Sequence, residues 1–419
     1  MGLCDRSGTF TRLRFSNRGL SAGLKSRTNH MKQPIILAIT AVFAWGSVAY
    51  AAVPPLPPMP TLPPPPPMPA PQLTSIQSAV LLDVNSGQVL MAENDQKPVN
   101  PSGLVKLMTA YLLYQAEKQG LIQPSEKVQV SNEAWHAQGS RMFIQPGMAV
   151  TMTELTHGLL IDGGNDAAIA IAETVAGSVG GFVDLMNHDA AAMGLQQTHF
   201  TNPDGLPQPG QSSTALDMAR LSAHLIQTYP QVMQVAGKVS YTYNHITQYN
   251  YNPLAGQNGV NGLGVGLAGK NSWDLAVSAT RDGRTLVAVV MGAPSRSAAG
   301  SDASALLHYG WNGWHNVSLF KAGAVVAQIH KGDWSPATVK GVTVSPVVVS
   351  EPKQQKSQLQ TGFVAIPDLK APLAAGADLG TLHISWHGHL LKTVPVHAQT
   401  AVKPAGWFIR LVHEGESWL

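Results

Sequence analysis

Cysteine is nearly absent from this 419-residue chain, the only one being Cys4. It lies within a leader-like stretch, so the rest of the chain can form no disulfide and offers no thiol nucleophile. Charge is sparse too, with Asp, Glu, Lys and Arg making up 12% of residues. Seven basic residues, among them Arg6, Arg12, Arg14, Arg18, Lys25 and Arg27, precede residue 52 against the single acid Asp5, and without this stretch the formal net charge of +3 becomes −3. The basicity belongs to the leader, and nothing points to nucleic acid as a partner. No phosphate-binding glycine loop or zinc-protease helix occurs. His383, His387 and His389 share strand parity, but Trp386-His387-Gly388-His389 reads as a hairpin turn with no carboxylate nearby, so no metal and no cofactor is expected.

What is present begins with a targeting signal. Met31 to Ala51 holds a lysine, an apolar run from Ile35 to Val48 and the small-residue close Ala49-Tyr50-Ala51. That pattern is a secretory signal peptide with cleavage after Ala51, which places the mature chain in the periplasm or cell envelope. The residues before Met31 are either an overlong basic region or lie upstream of the true start. From Pro54 to Pro71 the chain is mostly proline, an extended, semi-rigid spacer. The expected organisation is a leader over 1–51, a linker over 52–72, a main domain over 73–316, a β-rich domain over 317–402 and an amphipathic tail over 403–419. The tail, with Trp407-Phe408-Ile409 and Trp418-Leu419, suits peripheral contact with a membrane surface, although Glu414 and Glu416 disfavour anionic lipid.

Within the main domain, Ser78 to Val84, the turn Asn85-Ser86-Gly87 and Gln88 to Met91 read as a hairpin. A helix is expected from about Ser102 to Gln119, with Leu104, Leu107, Met108, Tyr111 and Leu112 at helical spacing and Gly120 as its stop. Helical patterns recur over Thr153–Leu160, Asp166–Val175, Gly181–Met193 and Thr214–Thr228. A second hairpin follows, Trp273–Thr280 and Thr285–Gly292 around Arg281-Asp282-Gly283-Arg284. Strands at both ends with helices between predict an α+β domain, one antiparallel sheet closed by distant segments beside a helical lobe. Beyond Ser318 short β runs predict a small all-β domain.

The chemistry turns on Gly103-Leu104-Val105-Lys106. Residues three apart share a helical face, so a serine at 103 would set its hydroxyl beside the Lys106 amine, the base for an acyl-transferring nucleophile. Glycine has nothing to attack with. Ser102 is one residue away and suits the role of helix N-cap; four residues from the lysine, it could serve as nucleophile only if the first turn were rotated.

The surrounding segments resemble the low-molecular-mass penicillin-binding proteins of the serine D-Ala-D-Ala carboxypeptidase family. They include Pro101 with Met108-Thr109-Ala110, Gly139-Ser140-Arg141-Met142-Phe143, Gly164-Asn165-Asp166-Ala167, His199 to Leu206 and Arg281-Asp282-Gly283, in the shared order from about residue 74 to 415. The resemblance implies a β-lactamase/transpeptidase-like fold, peptidoglycan stem peptides or cell-wall synthesis proteins as partners, and three motifs, S-x-x-K, S-x-N and K-T-G, lining one cleft. Here Gly103 stands for the nucleophile, Gly163 for the relay hydroxyl, and Gly264 and Val265 for the cation and hydroxyl that flank substrate; Lys106, Asn165 and Gly266 are retained. Lys106 then needs acceptors, the Asn165 side chain or backbone carbonyls. The expected function is a pseudoenzyme that binds wall peptides or partners along the strand at Gly264, Val265 and Gly266. The alternatives are an active carboxypeptidase using Ser102 and a β-lactamase, which needs the same missing serine.

Overall fold

A computed structural model describes residues 69–406 except 258, 270 and 354–357. The leader, most of the proline-rich spacer and the tail from residue 407 lie outside the described residues. No single described helix is long and apolar enough to cross a membrane.

Five antiparallel strands form the central sheet. They are β1 (Ser78–Asp83), β2 (Val89–Glu93), β3 (Val260–Gly269), β4 (Ser272–Arg281) and β5 (Arg284–Ala293), in the order β2-β1-β5-β4-β3. The sheet is therefore closed by segments two hundred residues apart, as the strand pattern predicts, with Val80 opposite Val289. Side-chain alternation divides its faces. Val80, Leu82, Ala276, Val287 and Val289 pack against the helical lobe, whereas Ala79, Leu81, Leu275, Val277 and Val290 meet Leu306, Leu307 and Trp314 on the other side.

The lobe consists of α1 (Lys106–Lys118), α2 (Met152–Leu160), α3 (Asn165–Ala176), α4 (Val179–Ala192) and α5 (Ala215–Thr228). Local chemistry sets their ends. Thr151 and Glu154 form a capping box at the start of α2, Thr214 accepts from Asp217 N at the start of α5, and Gly177, at φ +75°, stops α3. The expected helix from Ser102 differs at its beginning. Ser102–Val105 is a tight 3-10 turn, α1 starts at Lys106, and Ser102 caps nothing. The opposite face of the sheet is covered by α6 (Arg296–Gly313), which the sequence reading missed. Its serines, glycines and alanines carry little apolar periodicity, and packing decides its state.

Directly after α6 the chain enters β6 (Trp314–Phe320) and then β7 (Val325–His330), β8 (Thr338–Val342), β9 (Val347–Pro352), β10 (Leu359–Ala365), β11 (Asp378–Trp386) and β12 (His389–Ala398). β6 pairs with β9, and the rest form a sheet ordered β7-β8-β12-β11-β10. His387 and Gly388, both at positive φ, make the two-residue turn between β11 and β12. Polar bonds fix this β domain to the β1–β2 turn. Gln88 exchanges two bonds with the Ser350 backbone, the Ser86 and Ser350 hydroxyls lie 2.8 Å apart, and Lys392 donates to Ser86 O.

Candidate active site

The three expected motif regions converge. Gly103, Lys106, Gly163, Asn165, Val265 and Gly266 line one cavity of about 390 Å³ between the edge strand β3 and the lobe. Gly264 borders a much smaller recess alongside Gly103 and Lys106. A wider groove of about 500 Å³ beside α6 contains no motif residue.

Lys106 opens α1, and Thr109 stands one turn on. Lys106 Nζ donates to Asp204 O at 2.5 Å and Thr109 Oγ1 donates to Pro203 O at 2.6 Å, so one helical face grips the loop Asn202–Leu206. Its partner is thus a backbone carbonyl, one of the two acceptor kinds expected, and not Asn165. Asn165 instead donates through Nδ2 to Gln138 O at 2.6 Å. Burial pushes the Lys106 ammonium down to about 8, with the charges of Asp204 and Asp166 opposing it.

Asp166, beside Asn165 at the start of α3, is a residue whose structural role the sequence did not disclose. Its carboxylate accepts from Met142 N, Phe143 N, Ile144 N and Ala167 N. That cradle fixes the wall of the cleft at Ser140, whose hydroxyl donates to Asp162 O.

Where a nucleophile would stand, the cleft is shut. A Cβ built on Gly103 would collide with the Val265 carbonyl oxygen and lie 2.9 Å from Gly266 Cα; one on Gly266 would collide with Ser102 Oγ and Gly103 N. Backbone therefore rests on backbone, and of the expected peptide-binding edge Val265 and Gly266 are pressed against Ser102 and Gly103 while Gly264 faces the Leu104 and Leu107 side chains. The strand becomes strongly exposed only at Leu267.

Ser102, the alternative nucleophile expected, is buried against a strand carboxylate. It is 1% exposed, adopts φ +44°, and donates from Oγ to Asp274 Oδ2 at 2.5 Å. Asp274 lies opposite Gly266 in the β3–β4 register, and its other oxygen accepts from Gly292 N. Burial pushes the Asp274 carboxyl up to about 7, against the pull of these two donors. The sequence carried a signal for this pair, a carboxylate inside the apolar strand Trp273-Asp274-Leu275-Ala276-Val277, which must find a donor.

What surrounds Lys106 is otherwise largely apolar. Leu206, Tyr251, Val265, Leu267 and Trp273 line the cavity together with Gly139, Ser140, Asp204 and Gly205. Gly163 sits at φ +63°, a conformation that any side chain there would strain. No group of three or more metal-ligating side chains occurs among the described residues.

Comparison with known proteins places this arrangement. Residues 67–295 match the D-alanyl-D-alanine carboxypeptidase family and residues 314–404 the C-terminal domain of penicillin-binding protein 5. The chain is 31% identical over 350 residues to the D-alanyl-D-alanine carboxypeptidase DacA of Haemophilus influenzae, covering 81% of this chain and 88% of that one. It is 33% identical to DacC of Escherichia coli, covering 79% and 85%. Penicillin-binding protein 5 from Haemophilus influenzae superposes with a TM-score of 0.74 at 30% identity, over 80% of this chain and 99% of the other.

Proposed function

The chain belongs to the D-alanyl-D-alanine carboxypeptidase family of peptidoglycan metabolism, and from that premise we propose that it has given up acyl transfer and binds wall peptides or a wall-synthesis partner without cleaving them. One observation carries the reading. Gly103 has no hydroxyl, and the neighbouring Ser102 hydroxyl is held by Asp274, away from Lys106. Losing a serine nucleophile alone lowers kcat on the order of a millionfold in the serine-protease case.

The leader supports export to the periplasm or envelope, the proline-rich segment serves as a spacer, and the tail as a peripheral membrane contact. A peptide would enter beside Leu267 and Tyr251, where the cleft is open, and would find no cation at 264 for a terminal carboxylate. Affinity for free D-Ala-D-Ala ends is therefore low, and longer muropeptides or a protein partner gain more contact.

The test pairs acylation with binding. Incubation with a fluorescent penicillin should leave no hydroxylamine-labile acyl adduct, and a stem pentapeptide should be recovered uncleaved while immobilised muropeptides or an envelope protein retain the chain. Released D-Ala, or an ester on Ser102, overturns the loss of catalysis. Failure to retain either class of ligand overturns the binding role.

A further inference from the structure

Among the described side chains that line the cavity, Lys106 alone carries an amine. The two serine hydroxyls nearby donate elsewhere, Ser102 to Asp274 and Ser140 to the Asp162 carbonyl, while Tyr251 lines the space with its phenol ring. Lys106 is only 8% exposed, yet it lines a space of about 390 Å³. Its hydrogen-bond partner is a backbone carbonyl, and the Asp204 and Asp166 charges that favour the ammonium are outweighed by burial. Ser140, Asn165 and Asp204 give the space a polar side, while Leu206, Tyr251, Val265, Leu267 and Trp273 disfavour the ammonium form and suit an aromatic or aliphatic guest.

We propose that Lys106 is a covalent capture site for apolar aldehydes, which it binds as a Schiff base. In that step the neutral amine nitrogen forms a bond to the carbonyl carbon, the nitrogen gives up both protons to the carbonyl oxygen, and that oxygen leaves as water. No other reactant is needed. A desolvated lysine in an apolar pocket is the recognised form of such an amine nucleophile. Burial supports it, because a lysine lowered to about 8 holds on the order of a hundredfold more neutral amine at neutral pH than one at 10.5. This assignment uses the same cleft as the binding role but does not depend on any wall ligand.

The full-length protein carries its own control. Lys392 is also pushed down to about 8 by burial, but it lies in the joint to the β domain, donating to Ser86 O and Val348 O. Benzaldehyde with sodium cyanoborohydride, which delivers hydride to the imine carbon and fixes it as a benzylamine, should mark Lys106 at least about tenfold faster than exposed Lys97, Lys118 or Lys127, by peptide mapping at neutral pH. Lys392 should lag behind Lys106. Labelling of Lys106 no faster than that of the exposed lysines, or Lys392 reacting equally fast, overturns the proposal. Because the readout is an adduct on the unaltered chain, a protein that binds no muropeptide can still pass, and one that binds muropeptide can still fail.

Discussion

The Ser102 hydroxyl donates to the Asp274 carboxylate 2.5 Å away, across the point where the edge strand meets the first turn of the lobe. The bond joins β4 to the Ser102–Val105 turn through the gap left by Gly266, whose lack of a side chain admits the hydroxyl. It ties the stability of the cleft to one proton.

Asp274 is raised by burial from 3.8 to about 7. Between these values the folded chain holds a proton that the unfolded chain releases, so this contribution to stability is full below about pH 4 and is lost as pH rises through about 7. Asp162, also raised to about 7 by burial, acts in the same direction. Asp274→Asn keeps an acceptor for Gly292 N and removes the buried charge. It should raise stability at pH 8 by about 1–3 kcal/mol and flatten the rise seen on acidification. Urea unfolding from pH 4.5 to 8 measures this, and an unchanged pH slope would refute it.

Gly103→Ser should not restore acylation. The new Cβ meets the Val265 carbonyl, so the substitution is expected to destabilise by about 1–3 kcal/mol, the usual effect of overpacking. Thermal melts beside a fluorescent-penicillin gel check both halves, and a labelled band from this single change would show that the strand yields.

Lysine burial gives a second pH signature. Lys106 and Lys392 are both lowered from 10.5 to about 8. Below pH 8 they are charged in both states and the penalty of burial is complete; above it the folded chain loses the protons first, so their contribution to stability rises toward pH 10. Past about 10 the buried Tyr111 and Tyr114, whose phenols burial raises, work the other way. Comparing urea midpoints of the wild type and Lys392→Gln at pH 7.5 and 9.5 should show a smaller rise in the variant.

At the joint between the domains, Gln88→Ala strips both partners from the buried Ser350 backbone. A loss of about 1–3 kcal/mol per unsatisfied buried group is expected, with a broader distance distribution in small-angle scattering if the joint loosens. An unaltered profile with unaltered stability would mean that the remaining bonds, Ser86 to Ser350 and Lys392 to Ser86, suffice.

Much of the fold was legible because its signals are local. The apolar run Ala79-Val80-Leu81-Leu82, the turn before Gln88 and the helical spacing from Leu104 to Leu112 each describe a few neighbouring residues. The convergence of Gly103, Gly163 and Gly264 followed from the family pattern. What escaped depends on partners distant in the chain. Ser102 looked like an N-cap because its bond to Asp274 spans 172 residues, and α6 lacked periodicity because the sheet surface, not its own sequence, holds it. The contact of Gly103 with Val265 was invisible for the same reason, since a glycine in the sequence does not say which distant backbone packs against it.

That contact also sets a condition on any change at the site. With the Val265 carbonyl resting where a Cβ would stand, any side chain introduced at position 103 meets resistance before it can do chemistry. Strand β3 must first be lifted by changes elsewhere, and those changes bring no catalysis by themselves. The closed backbone is thus an obstacle to acyl transfer in its own right, separate from the missing hydroxyl.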